Sequence, residues 1–224
     1  MIAPVQEWRA LDAAPTIHAG EVHIWRAELR NNPELEKSVS LEERARADGF
    51  YFERDRERFL AARGLLRTIL AGYLGTSASA LRFLTSAAGK PHLQEPADES
   101  LRFNLSHSAD LMLLAVTRVG EVGVDLELMR EGVPFETLAE HHFAPAEASH
   151  LRLLPSAERA ARFYEIWTAT EAQLKASGVG LSNGTKVIEP DRWSLHKLTP
   201  ASGYAGALAV EGEDIQLKCW SWQK

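Results

Sequence analysis

Two carboxylates, Asp125 and Glu127, stand two residues apart in the run Val122-Gly123-Val124-Asp125-Leu126-Glu127-Leu128. The alternation is strict, so a strand would turn Val122, Val124, Leu126 and Leu128 one way and Gly123, Asp125 and Glu127 the other. Like charges on one face repel. A hard cation would relieve the repulsion, and carboxylate oxygens combined with phosphate oxygens are what Mg²⁺ prefers. The plainer reading is an edge strand with a wet acidic face. Farther on, Trp167, Glu171 and Lys175 recur every four residues and share one stripe of a helix. Glu171 and Lys175 can be a weak surface ion pair or can each find partners elsewhere. In Phe103-Asn104-Leu105-Ser106-His107-Ser108 a histidine lies between two hydroxyls, a compact set of hydrogen-bonding groups able to hold a phosphate. Gly89-Lys90-Pro91 presents a lysine on a constrained turn. Arg56, Arg63 and Arg67, with Arg58 close by, offer forks that fit phosphate oxygens, or else a solvated face balanced by Glu53, Asp55 and Glu57.

These residues need elements to hold them. Residues 21–29 partly alternate and read as a first strand, broken at Asn31-Asn32-Pro33. From Ser40 to about Leu74 the pattern is helical, with Ser40 and Glu43 spaced as a capping box and Phe59, Ala62, Leu66 and Ile69 facing a core. The apolar run 111–116 reads as a buried strand. Gly120 and Gly123 bracket a turn into the acidic strand, and Pro145 suits the first position of a helix. The stretch 167–181 opens with a run rich in good helix formers, which Gly178 and Gly180 then stop. Strand-like runs follow near 193–195, 205–210 and 215–222. Each half then holds helix and strand, an α+β organisation divided into residues 1–120 and 121–224.

The chain has 224 residues, enough for one good core or two packed halves, with 45% hydrophobic and 25% charged residues. A net charge of −6 argues against general nucleic-acid binding, which needs a basic face. Cys219 is the sole cysteine, so there is no intrachain disulfide and no multi-cysteine metal site, and its apolar setting suggests a buried thiol. The N-terminus lacks the build of a secretory signal and no apolar run approaches membrane-spanning length. A cytoplasmic protein with no membrane partner is expected.

Taken together and in order, the segments 58–67, 89–91, 104–108, 123–127, 143–147 and 167–181 resemble the Sfp-type 4′-phosphopantetheinyl transferases over most of the chain. The resemblance implies two similar α+β halves related by pseudo-twofold symmetry, with the active site in the cleft between them, in a monomer. It implies Mg²⁺-dependent transfer of phosphopantetheine from coenzyme A to a serine of an apo acyl or peptidyl carrier protein, releasing 3′,5′-ADP, with Mn²⁺ as an alternative metal. By the same resemblance Asp125, Glu127 and Glu171 are metal ligands. Lys175 lies near the pyrophosphate, Ser106 and His107 contact coenzyme A phosphates, Lys90 lies near the nucleotide end and Arg63 at its 3′-phosphate. Arg58 and Arg46 are further candidates for that surface. Lys175 and His107 would steady charge on the oxygens, with Glu171 or a metal-bound water as base. One position departs from the family pattern Trp-x-x-Lys-Glu-Ala: the lysine is Thr170 here. That loss of a cation motivates an alternative, a catalytically silent relative that binds coenzyme A or a carrier protein. An unrelated Mg²⁺-dependent phosphohydrolase is a third possibility, but the chain lacks a P-loop.

Overall fold

A computed structural model describes residues 6–86, 89–178 and 192–223. The first half runs β1 (Trp8–Leu11), β2 (Glu21–Glu28), α1 (Pro33–Glu36), α2 (Leu41–Ala47), α3 (Glu53–Leu74), β3 (Arg82–Thr85), β4 (Pro91–Glu95), β5 (Arg102–Ser108) and β6 (Leu111–Thr117). The second runs β7 (Val122–Leu128), α4 (Phe135–His142), α5 (Pro145–Leu153), α6 (Ser156–Ser177), β8 (Trp193–Leu198), β9 (Tyr204–Glu211) and β10 (Gln216–Trp222). Among the described residues the strands form a five-stranded sheet in the order β1-β10-β2-β6-β5, a three-stranded sheet in the order β7-β9-β8, and the separate hairpin β3-β4.

The two larger sheets lie face to face with one long helix outside each. On the outer side of the large sheet, Leu65, Leu66, Ile69 and Leu70 of α3 pack on Trp25, Phe103, Met112 and Leu114. Its inner side, with Ile24, Leu113 and Ala115, packs on Val122, Val124, Leu126 and Leu208 of the small sheet. The small sheet's far side, with Ala207 and Ala209, receives Ala172 and Ala176 of α6. This layering explains why 111–116 shows no alternation: β6 is apolar on both faces because both are covered. The α+β class is the one the sequence implies.

Local chemistry sets the element ends. The Ser40–Glu43 capping box is formed, with Glu43 N–H donating to Ser40 Oγ and Ser40 N–H to Glu43 Oε2. Asn31-Asn32-Pro33 ends β2 as expected but also starts a helix, since Asn32 Oδ1 accepts from Glu34 N–H at 3.0 Å and Pro33 opens α1. The helical stretch expected over 40–74 is two helices, α2 and α3, joined by Asp48 to Phe52. Pro145 stands at the start of α5, and Gly178, with φ of 70°, ends α6 in the left-handed conformation. Gly180 and Leu181 lie outside the described residues. Cys219 is buried, and burial pushes its thiol up to about 11.

The expected division at residue 120 leaves one strand on the other side. β10 crosses back and pairs in parallel with both β1 and β2, so the last strand of the chain belongs to the sheet of the first half.

Candidate active site

Gly123 decides how the site is built. It lies inside β7, as the alternation predicts, rather than at the turn that Gly120 and Gly123 are expected to bracket, and on the face turned to α6. A Cβ there would sit 2.0 Å from the carbonyl oxygen of Ala172 and 2.4 Å from the nitrogen of Ala176. Glycine on the strand and two alanines one turn apart on the helix therefore let the backbones touch. That close approach brings Asp125 and Glu127, on the same strand face, under the stripe of α6 that carries Glu171 and Lys175. Trp167, at the head of the stripe, stacks on Phe163 and meets His142 edge-on, anchoring α6 to α4 and α5.

β5 lies alongside β7 but joins it through side chains. Asn104 Oδ1 accepts from Val124 N–H at 2.8 Å, and Ser108 Oγ accepts from Leu128 N–H at 3.1 Å. Ser106 Oγ donates to Asp125 Oδ1 at 2.9 Å, and Ser108 Oγ donates to Glu127 Oε2 at 2.9 Å. Alternate residues of one strand thus hold the carboxylates of the other. The same alternation splits the Ser-His-Ser set, because His107 points to the opposite face of β5 from both serines.

The acidic strand face is not wet. Asp125 is 4% exposed. Lys175 Nζ donates to its Oδ1 at 2.6 Å and to Ser106 Oγ at 2.9 Å, a buried, charge-assisted pair. Asp125 Oδ2, also buried, has no hydrogen-bond partner among the described residues. Burial, and then the charge of Asp125, raises Glu127 above the usual carboxylate range despite the Ser108 hydrogen bond. Burial, then Asp125 and Glu127, raises Glu171 as well, against the opposing charge of Lys175. Three carboxylates therefore feel one another around one ammonium. Among the described residues no three His, Cys, Asp or Glu side chains are gathered closely enough to hold an ion as they stand. The donor chemistry nevertheless suits a hard cation: oxygen ligands, mutual repulsion and an orphaned buried oxygen.

The basic residues singled out from the sequence are scattered over the molecule. Lys175 is in the carboxylate group. Arg58 Nε donates to Asp110 Oδ1 at 2.8 Å, and His107 is exposed near it; crowding by protein, then Lys175 and Arg58, hold His107 below its ordinary pKa. Arg63 and Arg67 share the carboxylate of Glu43 and both lie over the ring of Phe83. Burial pushes Glu43 up, but the Arg67 hydrogen bond and the Arg63 charge win, and it stays below the usual range. Arg67 is 2% exposed and also donates to the carbonyl of Leu81 at 2.9 Å, so it ties the core rather than presenting a face to an anion. Arg56 pairs with Asp48 and Glu53, and Arg46 lies over Phe59. Lys90, after Gly89 with φ of 84°, reaches Glu121 and borders a cavity of about 580 Å³ with Pro91, Arg102 and Ala176.

Residues 23–119 match the family model described as the N-terminal part of 4′-phosphopantetheinyl transferase, and residues 121–221 match that of the 4′-phosphopantetheinyl transferase superfamily. The chain is 39% identical over 225 residues to the 4′-phosphopantetheinyl transferase HetI of Nostoc sp., covering 92% of this chain and 94% of that protein.

The chain belongs to the 4′-phosphopantetheinyl transferase superfamily.

It is 33% identical over 183 residues to a phosphopantetheinyl transferase of Thraustochytrium sp., covering 77% of this chain and 64% of that protein. It is 30% identical over 144 residues to the 4′-phosphopantetheinyl transferase Sfp of Bacillus subtilis, covering 64% of this chain and 62% of that protein. Membership makes the chain a transferase of this type. Against the family pattern, Thr170 supplies no cation: it is half-buried and its hydroxyl donates to the Ile166 carbonyl of its own helix at 2.9 Å. Two contributors escaped the sequence reading. One is Glu121, the partner of Lys90. The other is the pairing of Gly123 with Ala172 and Ala176, for which small residues four apart on a helix were a legible signal. No described helix is long and apolar enough to cross a membrane.

Proposed function

We propose that this phosphopantetheinyl transferase moves 4′-phosphopantetheine from coenzyme A to a serine hydroxyl of an apo acyl or peptidyl carrier protein and releases 3′,5′-ADP. It would act as a monomer in the cytoplasm, with Mg²⁺, or Mn²⁺ in its place, held by Asp125, Glu127 and Glu171. The observation that carries the metal reading is Asp125 Oδ2, a buried carboxylate oxygen without a partner among the described residues, beside two carboxylates whose pKa is raised by burial and by its charge. When bound, the metal would neutralise the pyrophosphate and polarise the phosphorus under attack.

The residues supply the rest. Lys175, on the same helix stripe as Glu171, is suited to steady charge on the pyrophosphate oxygens. Ser106, whose single O–H now donates to Asp125, would turn it to a phosphate once a cation holds that carboxylate, and His107 and Arg58 stand at the exposed side of β5 for another. In our reading residues 1–120 supply most phosphate contacts and residues 121–224 the metal ligands. The nucleotide end occupies the cavity beside Gly89-Lys90-Pro91, with Arg63 toward the 3′-phosphate. The carrier serine oxygen bonds to phosphorus as the bond to the 3′,5′-ADP oxygen breaks. Its proton passes to a base, for which Glu171, on the α6 stripe facing Asp125, is the candidate among the side chains.

Thr170 favours a second reading, a silent relative that binds without transfer, since a cation of the family pattern is replaced by a hydroxyl turned to its own helix. Mass spectrometry of an apo carrier protein incubated with the enzyme, coenzyme A and Mg²⁺ separates the two. A gain of one phosphopantetheine supports transfer. Unlabelled carrier with measurable coenzyme A binding supports the silent relative.

A further inference from the structure

Lys90 has no donor left for a nucleotide. An ammonium group has three N–H donors. Those of Lys90 meet Glu121 Oε2 at 3.0 Å, the Val122 carbonyl at 3.1 Å and the Ala176 carbonyl at 3.4 Å. The acceptors belong to three different places: the residue just before β7, the first residue of β7 and the last turn of α6. The lysine itself stands on the hairpin of the first half, and its backbone is held from both sides, its N–H donating to Ser86 Oγ at 3.1 Å and its carbonyl accepting from Ser86 N–H at 2.9 Å. Glu121 is fixed in turn, since its other oxygen accepts from Arg102 Nε of β5 at 2.8 Å. The Lys90 side chain is only 18% exposed, so these bonds are formed away from most of the solvent.

We propose that Lys90 is a positioning residue that fastens the C-terminal end of α6 to the start of β7 and to the first half of the chain. Ala176 follows Lys175 directly, and Ala172 and Ala176 are the residues that touch Gly123. A cation against the last-turn carbonyls is favourable in itself, because they carry the negative end of the helix dipole. Its effect is to hold α6 down at its end, where Lys175 must meet Asp125 and Ser106. Lys90 then borders the cavity while its charge serves the helix.

The kinetic arm of the test rests on the transferase reading; the exchange arm does not. With Lys90→Met, hydrogen–deuterium exchange over residues 172–178 speeds up about tenfold or more, as expected for a released helix end. In transfer to an apo carrier protein, kcat falls about tenfold or more, the scale of a misplaced catalytic group. The KM for coenzyme A stays within about twofold, and the preference for coenzyme A over 3′-dephospho-coenzyme A is unchanged. Glu121→Gln gives the same pattern, and the double variant is little worse than either single one, since both break one network. Should Lys90→Met fail to fold, Glu121→Gln carries the same readouts. Unchanged exchange over residues 172–178 overturns the proposal. So does a KM for coenzyme A raised about tenfold with kcat intact and the penalty absent for the 3′-dephospho donor, which is the signature of a phosphate contact. A wild-type enzyme that labels no carrier would refute the transferase reading and leave the exchange result to judge Lys90.

Discussion

At the scale of single residues, the site is an exchange of charge around Asp125. Lys175 neutralises one oxygen, the other is buried without a partner among the described residues, and Glu127 and Glu171 are pushed toward protonation by burial and by Asp125. Thr170 lies one residue from Glu171, about 100° around the helix. Its hydroxyl is spent on the Ile166 carbonyl, so a longer side chain breaks no bond between elements. Thr170→Lys is expected to fold, to gain slightly in helix propensity, and to lower the KM for coenzyme A or carrier several-fold, corresponding to on the order of 1 kcal/mol. Steady-state kinetics with both substrates check this, and an unchanged KM for each would show that the position is not coupled to the site. Much of the residue chemistry was legible: two carboxylates two apart on a strand, and Glu171 with Lys175 four apart on a helix. What could not be read was which cations were already committed. Arg63 and Arg67 look alike in sequence, as do many exposed arginines, yet both are bound to Glu43 of a different helix, a pairing that only the packing of α2 on α3 creates.

At the scale of elements, the contact of β7 with α6 positions everything else. Alternation in β7 and the helix-forming run of α6 were plain in the sequence, and so were the capping box and Pro145. Their approach was not, because it depends on an absent side chain at Gly123 meeting small ones at Ala172 and Ala176 across some fifty residues of chain. Gly123→Ala tests this. The new methyl would overlap two backbone atoms of α6 that cannot turn aside, so the helix must move. Loss of about 3 kcal/mol or more in urea unfolding is expected, as for severe overpacking, together with weaker transfer as Glu171 and Lys175 shift from Asp125. An unchanged unfolding midpoint would mean that helix and strand are less closely packed than described. The β5–β7 seam was also hidden: Ser106, His107 and Ser108 read as one phosphate-holding set, but strand alternation turns the two serines to the carboxylates across the seam, where Asn104 joins them, and His107 to the other face.

At the scale of the whole molecule, the two sheets are locked by a strand that sequence order puts in the wrong half. β10 fills the gap between β1 and β2, a pairing of residues about two hundred positions apart that local patterning cannot reveal. Beside it lies a buried relay: Trp25 Nε1 donates to Tyr73 Oη at 2.8 Å, which lies 2.7 Å from His23 Nδ1, while His23 Nε2 meets Glu21 Oε2 at 3.0 Å. Burial lowers the His23 pKa, with Glu21 opposing. The folded protein therefore binds this proton less readily than the unfolded chain, whose histidine titrates near its ordinary value of about 6.5. Stability is full above that value and is lost as the pH falls below it toward the lower folded-state pKa. His107 and His196 are lowered too and add in the same direction. Glu127 and Glu171, raised in the folded state, act in the opposite direction, so the test is a difference: between pH 7.5 and 5 the thermal midpoint of wild type should lose more, relative to its value at pH 7.5, than that of a folded His23→Gln variant. An equal slope in both would remove His23 as a source.

In our reading Asp125 anchors a metal-dependent transfer of phosphopantetheine. Asp125→Ala removes the orphaned oxygen and the partner of Lys175 without opening an apolar cavity. The direct measurement is the intact mass of an apo carrier protein after incubation with coenzyme A and Mg²⁺, using wild type, wild type with a chelator, and folded Asp125→Ala in parallel. The expected result is one added phosphopantetheine per carrier with wild type and Mg²⁺, and a rate at least about a hundredfold lower in the other two, as befits loss of a group acting on transition-state charge. Equal labelling in all three would contradict it.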